Sequence, residues 1–212
     1  MKARENPVVA PRKHPRQTRS EHLVAAILEA AVRVLEREGA ARFTTARVAE
    51  AAGVSVGSLY QYFPNKQAIL FRLQAEEWAH TGGQLHGLLA DPTRPPPERL
   101  RLAVRAFFRS ECEEAALRGA LADAAPLYRD APEAAVHRRA GQRQLSAFMA
   151  EALPDVDARK RRQATDAVAT VLTATGKNVS EQGRSRASVD ALANAVGEML
   201  CGYLDRLAKG RA

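Results

Sequence analysis

The stretch Thr44 to Lys66, TTARVAEAAGVSVGSLYQYFPNK, constrains the fold of this chain more than any other. Thr45 to Ala52 reads as a short helix with Val48, Ala49 and Ala52 on one apolar side. Gly53 interrupts it, and a residue without Cβ is what a sharp turn of positive φ requires. Val54 follows as a buried pin. Ser55 suits an N-cap, its hydroxyl accepting from a backbone N–H two or three residues on. A second short helix runs from about Val56 to Tyr62, and Pro64 ends it. Two short helices joined by a glycine turn form a helix-turn-helix, which sets its second helix in the major groove of DNA.

Such pairs are also common as plain packing units, and residue types decide between the two readings. In SVGSLYQYF the positions Ser55, Gly57 and Ser58 carry small or hydroxyl groups where a buried helix would carry Leu or Ile. Small residues admit a close backbone approach to base edges, and Ser bonds to bases or phosphate alike. Tyr60, Gln61 and Tyr62 add polar tips. Lys66 stands in the first turn of the next helix, where a cation opposes the helix dipole. A phosphate there would gain from the lysine and from the N-terminal amides together.

The segment Gly39 to Leu70 resembles the DNA-binding signature of TetR-type transcriptional regulators. The matching elements are AGVS at 52–55, G-x-LY at 57–60, YF at 62–63, Lys66 and the apolar pair Ile69-Leu70. The preceding helix, Ile27 to Gly39, also fits the family's first helix, so the resemblance covers roughly a quarter of the chain. It implies an all-α, dimeric regulator, most often a repressor released by a small molecule. An N-terminal helix-turn-helix domain would precede a larger helical domain for effector binding and dimerisation. Carried over residue by residue, it places Thr45, Tyr60, Tyr62 and Lys66 on phosphates. Ser55, Val56, Gly57, Ser58 and Gln61 would face bases, with Val56 suited to a thymine methyl. Arg47 would reach a base edge or a phosphate.

On this reading the chain divides into a basic disordered arm (1–17), the helix-turn-helix domain (18–65) and the helical effector and dimerisation domain (66–212). Its 212 residues are ample for a real core. In residues 1–20 six cations, Lys2, Arg4, Arg12, Lys13, Arg16 and Arg19, stand against Glu5, which supplies most of the net charge of +8. Pro7, Pro11 and Pro15 keep this arm from forming a helix. It can follow phosphates or enter a minor groove; a solubilising tail would have the same composition.

The first helix opens with Thr18 and Glu21 at capping-box spacing, and Gly39 is its natural stop. Phe43 should pack beneath the three-helix unit. The fourth helix, Lys66 to about Leu89, takes Asn65 as N-cap, and Gly82-Gly83 predicts a bend. Asp91 to Pro97 reads as a loop. Beyond it, Leu100, Val104, Phe107 and Phe108 form one helix and Cys112 to Ala124 another. A helix from Pro132 to about Leu153 follows, with Val136, Leu145, Phe148, Met149 and Leu153 as its apolar set. The last two helices, 158–181 and 188–208, carry wide apolar stripes. In TetR-like proteins the corresponding pair makes a four-helix dimer bundle; alone, it would be a terminal hairpin.

Chemistry-bearing motifs are otherwise missing. There is no HExxH, no zinc-spaced cysteine pair and no G-x-S-x-G elbow, so neither catalytic residue, cofactor nor metal is expected. Gly176-Lys177 lacks the first glycine and the Ser/Thr of a phosphate loop. Cys112 and Cys201 are no disulfide framework, which points to a reducing cytoplasm. No apolar run is long enough to span a membrane. Trp78, Phe107, Phe108, Tyr128, Phe148 and Met149 are the candidate lining of an effector pocket, although each taken singly fits plain core better than ligand contact. An apolar or aromatic effector would suit them. Two other classes stand beside the regulator: an architectural DNA-binding protein without effector, and a small helical enzyme with an unrecognised site.

Overall fold

The computed structural model describes residues 8–10 and 18–210, with no β-strand among them. The expected arm, residues 1–17, lies outside the described residues except for Val8–Ala10. The helices are α1 (Thr18–Arg42), α2 (Thr45–Ala51), α3 (Val56–Tyr60), α4 (Lys66–Leu89), α5 (Pro96–Glu113), α6 (Ala115–Ala124), α7 (Pro132–Ala152), α8 (Ala158–Glu181) and α9 (Arg186–Ala208). A short 3-10 turn, Ala125–Leu127, joins α6 to α7.

Local chemistry accounts for most boundaries. Gly39 has φ 73° and breaks the regular part of α1, leaving a last turn to Arg42. Asn65 caps α4, its Oδ1 accepting from the Ala68 amide at 2.8 Å. Asp157 caps α8 through Arg159 and Lys160, and Ser185 caps α9 through Ser188. Four expectations need correction. Pro96 and Pro97 open α5 rather than closing the loop, because proline at the first helical positions sacrifices no hydrogen bond. Cys112 belongs to the end of α5, and the next helix starts at Ala115. Val136 is 54% exposed instead of joining the core of α7. At Gly82-Gly83, α4 continues as a single helix and neither glycine takes positive φ.

The chain packs as two compact units. The first comprises the described residues up to Trp78 together with Ala116–His137. Its core gathers Ile27, Leu35, Phe43, Val48, Leu59, Phe63, Ile69 and Leu70, with Leu121, Tyr128 and Ala134 from the later segment. Phe43 is fully buried, as its place beneath the three-helix unit requires. The Tyr128 hydroxyl lies 3.1 Å from Gln74 Oε1 and 3.0 Å from the Leu121 carbonyl. Burial pushes its phenol well above the ordinary range.

The second unit comprises Ala79–Ala115 and residues from Arg138 onward, built on α5 packed between α8 and α9. Its core holds Leu100, Val104, Phe108, Phe148, Met149, Val168, Val196 and Leu200. A polar ladder runs beside that core. Arg101, Arg105 and Arg109 stand at successive four-residue steps on α5, opposite Glu198, Asn194 and Asp190 descending α9. Their contacts are 2.6, 2.6 and 2.8 Å. The spacing fixes the antiparallel register of the two helices. Arg99 is 2% exposed, donates to the Leu89 carbonyl at 2.7 Å and forks onto Glu151, and lies over the Phe148 ring. It thereby ties the end of α4, the start of α5 and the end of α7.

Candidate nucleic-acid interface

α2 is anchored and α3 is displayed. Val48 and Ala49 bury one side of α2 completely, while the Thr44 hydroxyl accepts from the Arg47 amide at 3.3 Å to cap it. Gly53 then takes φ 67°, the left-handed conformation that only glycine adopts without strain. The Val54 amide bonds back to the Ala49 carbonyl at 3.0 Å and closes the turn. Ser55 caps α3 through the Ser58 amide at 3.0 Å, and the two serine hydroxyls meet at 2.8 Å. Leu59 is the one fully buried residue of α3. Phe63, also buried, bonds to the Leu59 carbonyl and ends the segment.

What remains of α3 faces outward. Ser55, Val56, Gly57, Tyr60 and Gln61 are exposed, and Ser58 and Tyr62 half-buried. Val56 at 40% and Tyr60 at 38% are among the few large apolar groups so exposed. Thr45 at the start of α2 and Tyr60 at the end of α3 share a hydroxyl hydrogen bond of 3.1 Å, so two expected phosphate ligands stand side by side. Lys66 Nζ donates to the Phe43 carbonyl at 3.4 Å, placing the start of α4 next to the corner between α1 and α2.

Arg47 is held differently. Its guanidinium pairs with Glu38 and donates to the Arg42 carbonyl at 3.2 Å, which turns it toward the end of α1. Arg33, Arg37, Arg42 and Arg47 line a cleft between α1 and α2 together with Glu38 and Glu50. The Thr45–Tyr60 and Arg47–Glu38 pairs lie beyond local sequence reading, because each joins residues nine or more positions apart.

The six aromatic and sulfur residues considered for an effector fall into different units. Trp78 and Tyr128 belong to the first, where Trp78 is tilted against His137 at 5.6 Å. Phe107, Phe108, Phe148 and Met149 belong to the second. There Phe108, Phe148 and Met149 are buried, and half-buried Phe107 stacks obliquely on Phe108 with ring centres 6.1 Å apart.

A capped first helix sunk in a core, a glycine turn and an outward second helix define a helix-turn-helix DNA-binding regulator. Residues 27–73 match the profile of bacterial regulatory proteins of the tetR family, and residues 95–207 match the tetracyclin repressor-like C-terminal domain. The chain belongs to the TetR family of transcriptional regulators, which bind DNA. No curated protein matches it significantly.

Solved structures show the same fold. The fatty acid degradation regulator FadR from Bacillus halodurans is 21% identical with TM-score 0.67, over 85% of this chain and 95% of that one. FadR from Bacillus subtilis in complex with stearoyl-CoA is 20% identical with TM-score 0.64, over 84% and 97%. The repressor AlkX from Dietzia sp., implicated in biodegradation of n-alkanes, is 22% identical with TM-score 0.56, over 91% and 99%.

Proposed function

We propose that the protein is a homodimeric repressor of a pseudo-palindromic operator, released when a small apolar molecule binds its C-terminal half. The outward face of α3 carries this reading. Ser55, Val56, Gly57, Ser58 and Gln61 face bases, while Thr45, Tyr60, Tyr62 and Lys66 take phosphates on either side. Arg47 joins them once it leaves Glu38. Two such faces related by a two-fold axis, roughly 34–36 Å apart, read successive major grooves.

Pairing through α8 and α9 is supported by what α9 leaves open. Ala191, Ala195, Met199 and Gly202 are all exposed and recur at three- and four-residue steps, so they share one face. Met199 is 54% exposed. Small residues around a flexible thioether suit close packing against a second copy. For the effector, the apolar core of Phe107, Phe108, Phe148 and Met149 favours a hydrocarbon-rich ligand. That one fold neighbour binds stearoyl-CoA adds acyl chains to the classes worth testing. No helix among the described residues is long and apolar enough to cross a membrane, in keeping with a cytoplasmic regulator.

Selection of binding sites from random duplexes tests the reading, performed at two salt concentrations. An enriched palindrome establishes a dimeric, sequence-specific regulator. Salt-sensitive binding with no enriched sequence would favour an architectural DNA-binding protein instead. Thermal shift against metabolites and acyl-CoAs tests the effector. A ligand at 100 times its dissociation constant adds about 2.7 kcal/mol of stability.

A further inference from the structure

The cleft between α1 and α2 encloses about 480 Å³, a volume typical of small-molecule sites. Four arginines line it, Arg33, Arg37 and Arg42 from α1 and Arg47 from α2, against two carboxylates, Glu38 and Glu50. Two of the arginines are engaged. Arg33 donates to Glu29 at 2.6 Å and to the Ala51 carbonyl at 3.4 Å. Arg47 binds Glu38 and the Arg42 carbonyl, both through Nη1, which leaves its Nε and Nη2 donors open. Arg37 and Arg42 are exposed and have no side-chain partner among the described residues. The helix dipole favours cations near the end of α1, but Arg33 and Arg37 stand four apart on one face, where like charges repel. A fourth arginine on the opposite wall adds to that repulsion. With Arg33 on Glu29 and Arg47 on Glu38, two positive charges are left against Glu50 alone. Glu50 adjoins Ala51, at the end of the cleft that Arg33 reaches, while Arg42 and Arg47 meet at the other end.

We propose that this cleft binds a small phosphate-bearing molecule, with its phosphate among Arg37, Arg42 and Arg47 and a hydroxyl or amino group at Glu50. The planar guanidinium fork matches phosphate oxygens with paired N–H donors. Arg37 and Arg42 supply such forks without giving up any contact. Arg47 adds Nε and Nη2 while Nη1 stays on Glu38. The carboxylate of Glu50 disfavours a ligand that is negative throughout and favours one with a hydrogen-bond donor at that end. Sugar phosphates, nucleoside monophosphates and phosphorylated amines have this division. All the lining residues belong to the first unit, and their chemistry is the opposite of the apolar core considered for an effector in the second. An occupant would hold Arg47 in the cleft, away from the DNA phosphate given to it in the proposed function. That consequence rests on the DNA-binding reading, whereas the site itself does not.

The test is isothermal titration calorimetry of the full chain without DNA, at one ionic strength because exposed charges are screened by salt. Two probes are compared: inorganic pyrophosphate, which is phosphate alone, and ribose 5-phosphate, which adds hydroxyls. The variants are Arg37→Gln/Arg42→Gln and Glu50→Ala. All three side chains are exposed, so the fold should survive, and thermal unfolding without probe checks that it does. Should the double variant fail to fold, Arg37→Gln alone carries the comparison. The two glutamines are expected to weaken both probes by at least about tenfold, the scale of one lost hydrogen bond to a charged group. Glu50→Ala should weaken ribose 5-phosphate by about tenfold and leave pyrophosphate bound as tightly or more so. Wild-type protein that takes up neither probe at millimolar concentration overturns the proposal. So does an unchanged affinity in the glutamine variant, because the phosphate would then sit elsewhere. An equal effect of Glu50→Ala on both probes overturns the ligand class. Duplex binding over a series of salt concentrations separates the other source of phosphate. If neither probe binds but the glutamine variant lowers the salt slope by about two per protomer, the arginines meet the DNA backbone and the free-ligand site is refuted. Protein that binds both probes and no duplex would instead overturn the DNA-binding reading and leave this site standing.

Discussion

Gly176→Ala sets two effects of known sign against each other. In the middle of α8, alanine is favoured over glycine by about 1 kcal/mol from backbone entropy alone. A Cβ built on Gly176, however, would lie 2.7 Å from Phe107 Cε1, 3.1 Å from Glu111 Cγ and 3.3 Å from Phe107 Cζ. Carbon atoms are comfortable at about 3.5–4.0 Å, so the ring must retreat by roughly 0.8 Å or more. Phe107 is half-buried and stacked on fully buried Phe108, which limits that retreat. Inserting a methyl into so tight a crossing costs about 1–3 kcal/mol. The net expectation is a destabilisation of about 1 kcal/mol. Gly83 supplies the control, since it is exposed within α4 and its Cβ would meet nothing within 4 Å. Gly83→Ala should stabilise by about 0.5–1 kcal/mol. In thermal unfolding at one fixed protein concentration, the two variants should differ by roughly 3–8 °C at 2–4 °C per kcal/mol. Adding Phe107→Leu should restore much of the loss in Gly176→Ala and reveal a coupling of about 0.5–3 kcal/mol. If Gly176→Ala proves as stabilising as Gly83→Ala, the close crossing of α5 and α8 is refuted.

The other predictions concern DNA and acid. Lys66→Ala should weaken binding to every duplex alike and lower the salt slope by about one unit; an unchanged slope removes Lys66 from the interface. Val56→Arg should change the site enriched in selection experiments, and an unaltered site means that residue 56 does not face a base. Glu38→Gln frees the guanidinium of Arg47. Filter binding should then show tighter association with all duplexes and a slope steeper by about one. The hydrogen bond from Arg99 holds the Glu151 carboxyl below its ordinary value of 4.5. Its contribution to stability is therefore complete above about pH 4.5 and lost as pH falls through the lower folded value. Glu151→Gln should be less stable than wild type at neutral pH and converge with it in acid, followed by urea unfolding across pH 2–7.

The helical frame was legible because its signals are local. Gly53, Ser55, Asn65 and the 3.6-residue apolar periods state turns, caps and faces within a few positions of one another, and each occurs where expected. The loop expected from Asp91 to Pro97 gives way to α5 at Pro96, because the same proline that ends a helix also starts one well. Contacts across long separations left no such trace. The ladder of Arg101, Arg105 and Arg109 on α9 joins residues more than eighty positions apart. Val9, buried in the same cluster as Phe43, gave no sign of it within a segment rich in proline and charge. The residues of the recognition helix were readable by type, whereas the orientation of Arg47 toward Glu38 depends on how α1 and α2 pack.

The face of α3 offers no Arg, Lys or Asn, the groups that read guanine or adenine in pairs of hydrogen bonds. On the proposed reading, Gln61, the Val56 methyls and DNA shape must supply base discrimination, while lysine and hydroxyls supply affinity for any duplex. The margin between operator and bulk DNA then depends strongly on both half-sites being met at once. A spacing error of a few ångströms between the two recognition helices would sacrifice that simultaneous fit and leave the phosphate attraction almost intact. An effector acting on such a dimer need only alter the spacing. Release from the operator should accordingly be accompanied by residual, salt-sensitive binding to unrelated DNA, and not by loss of DNA binding altogether.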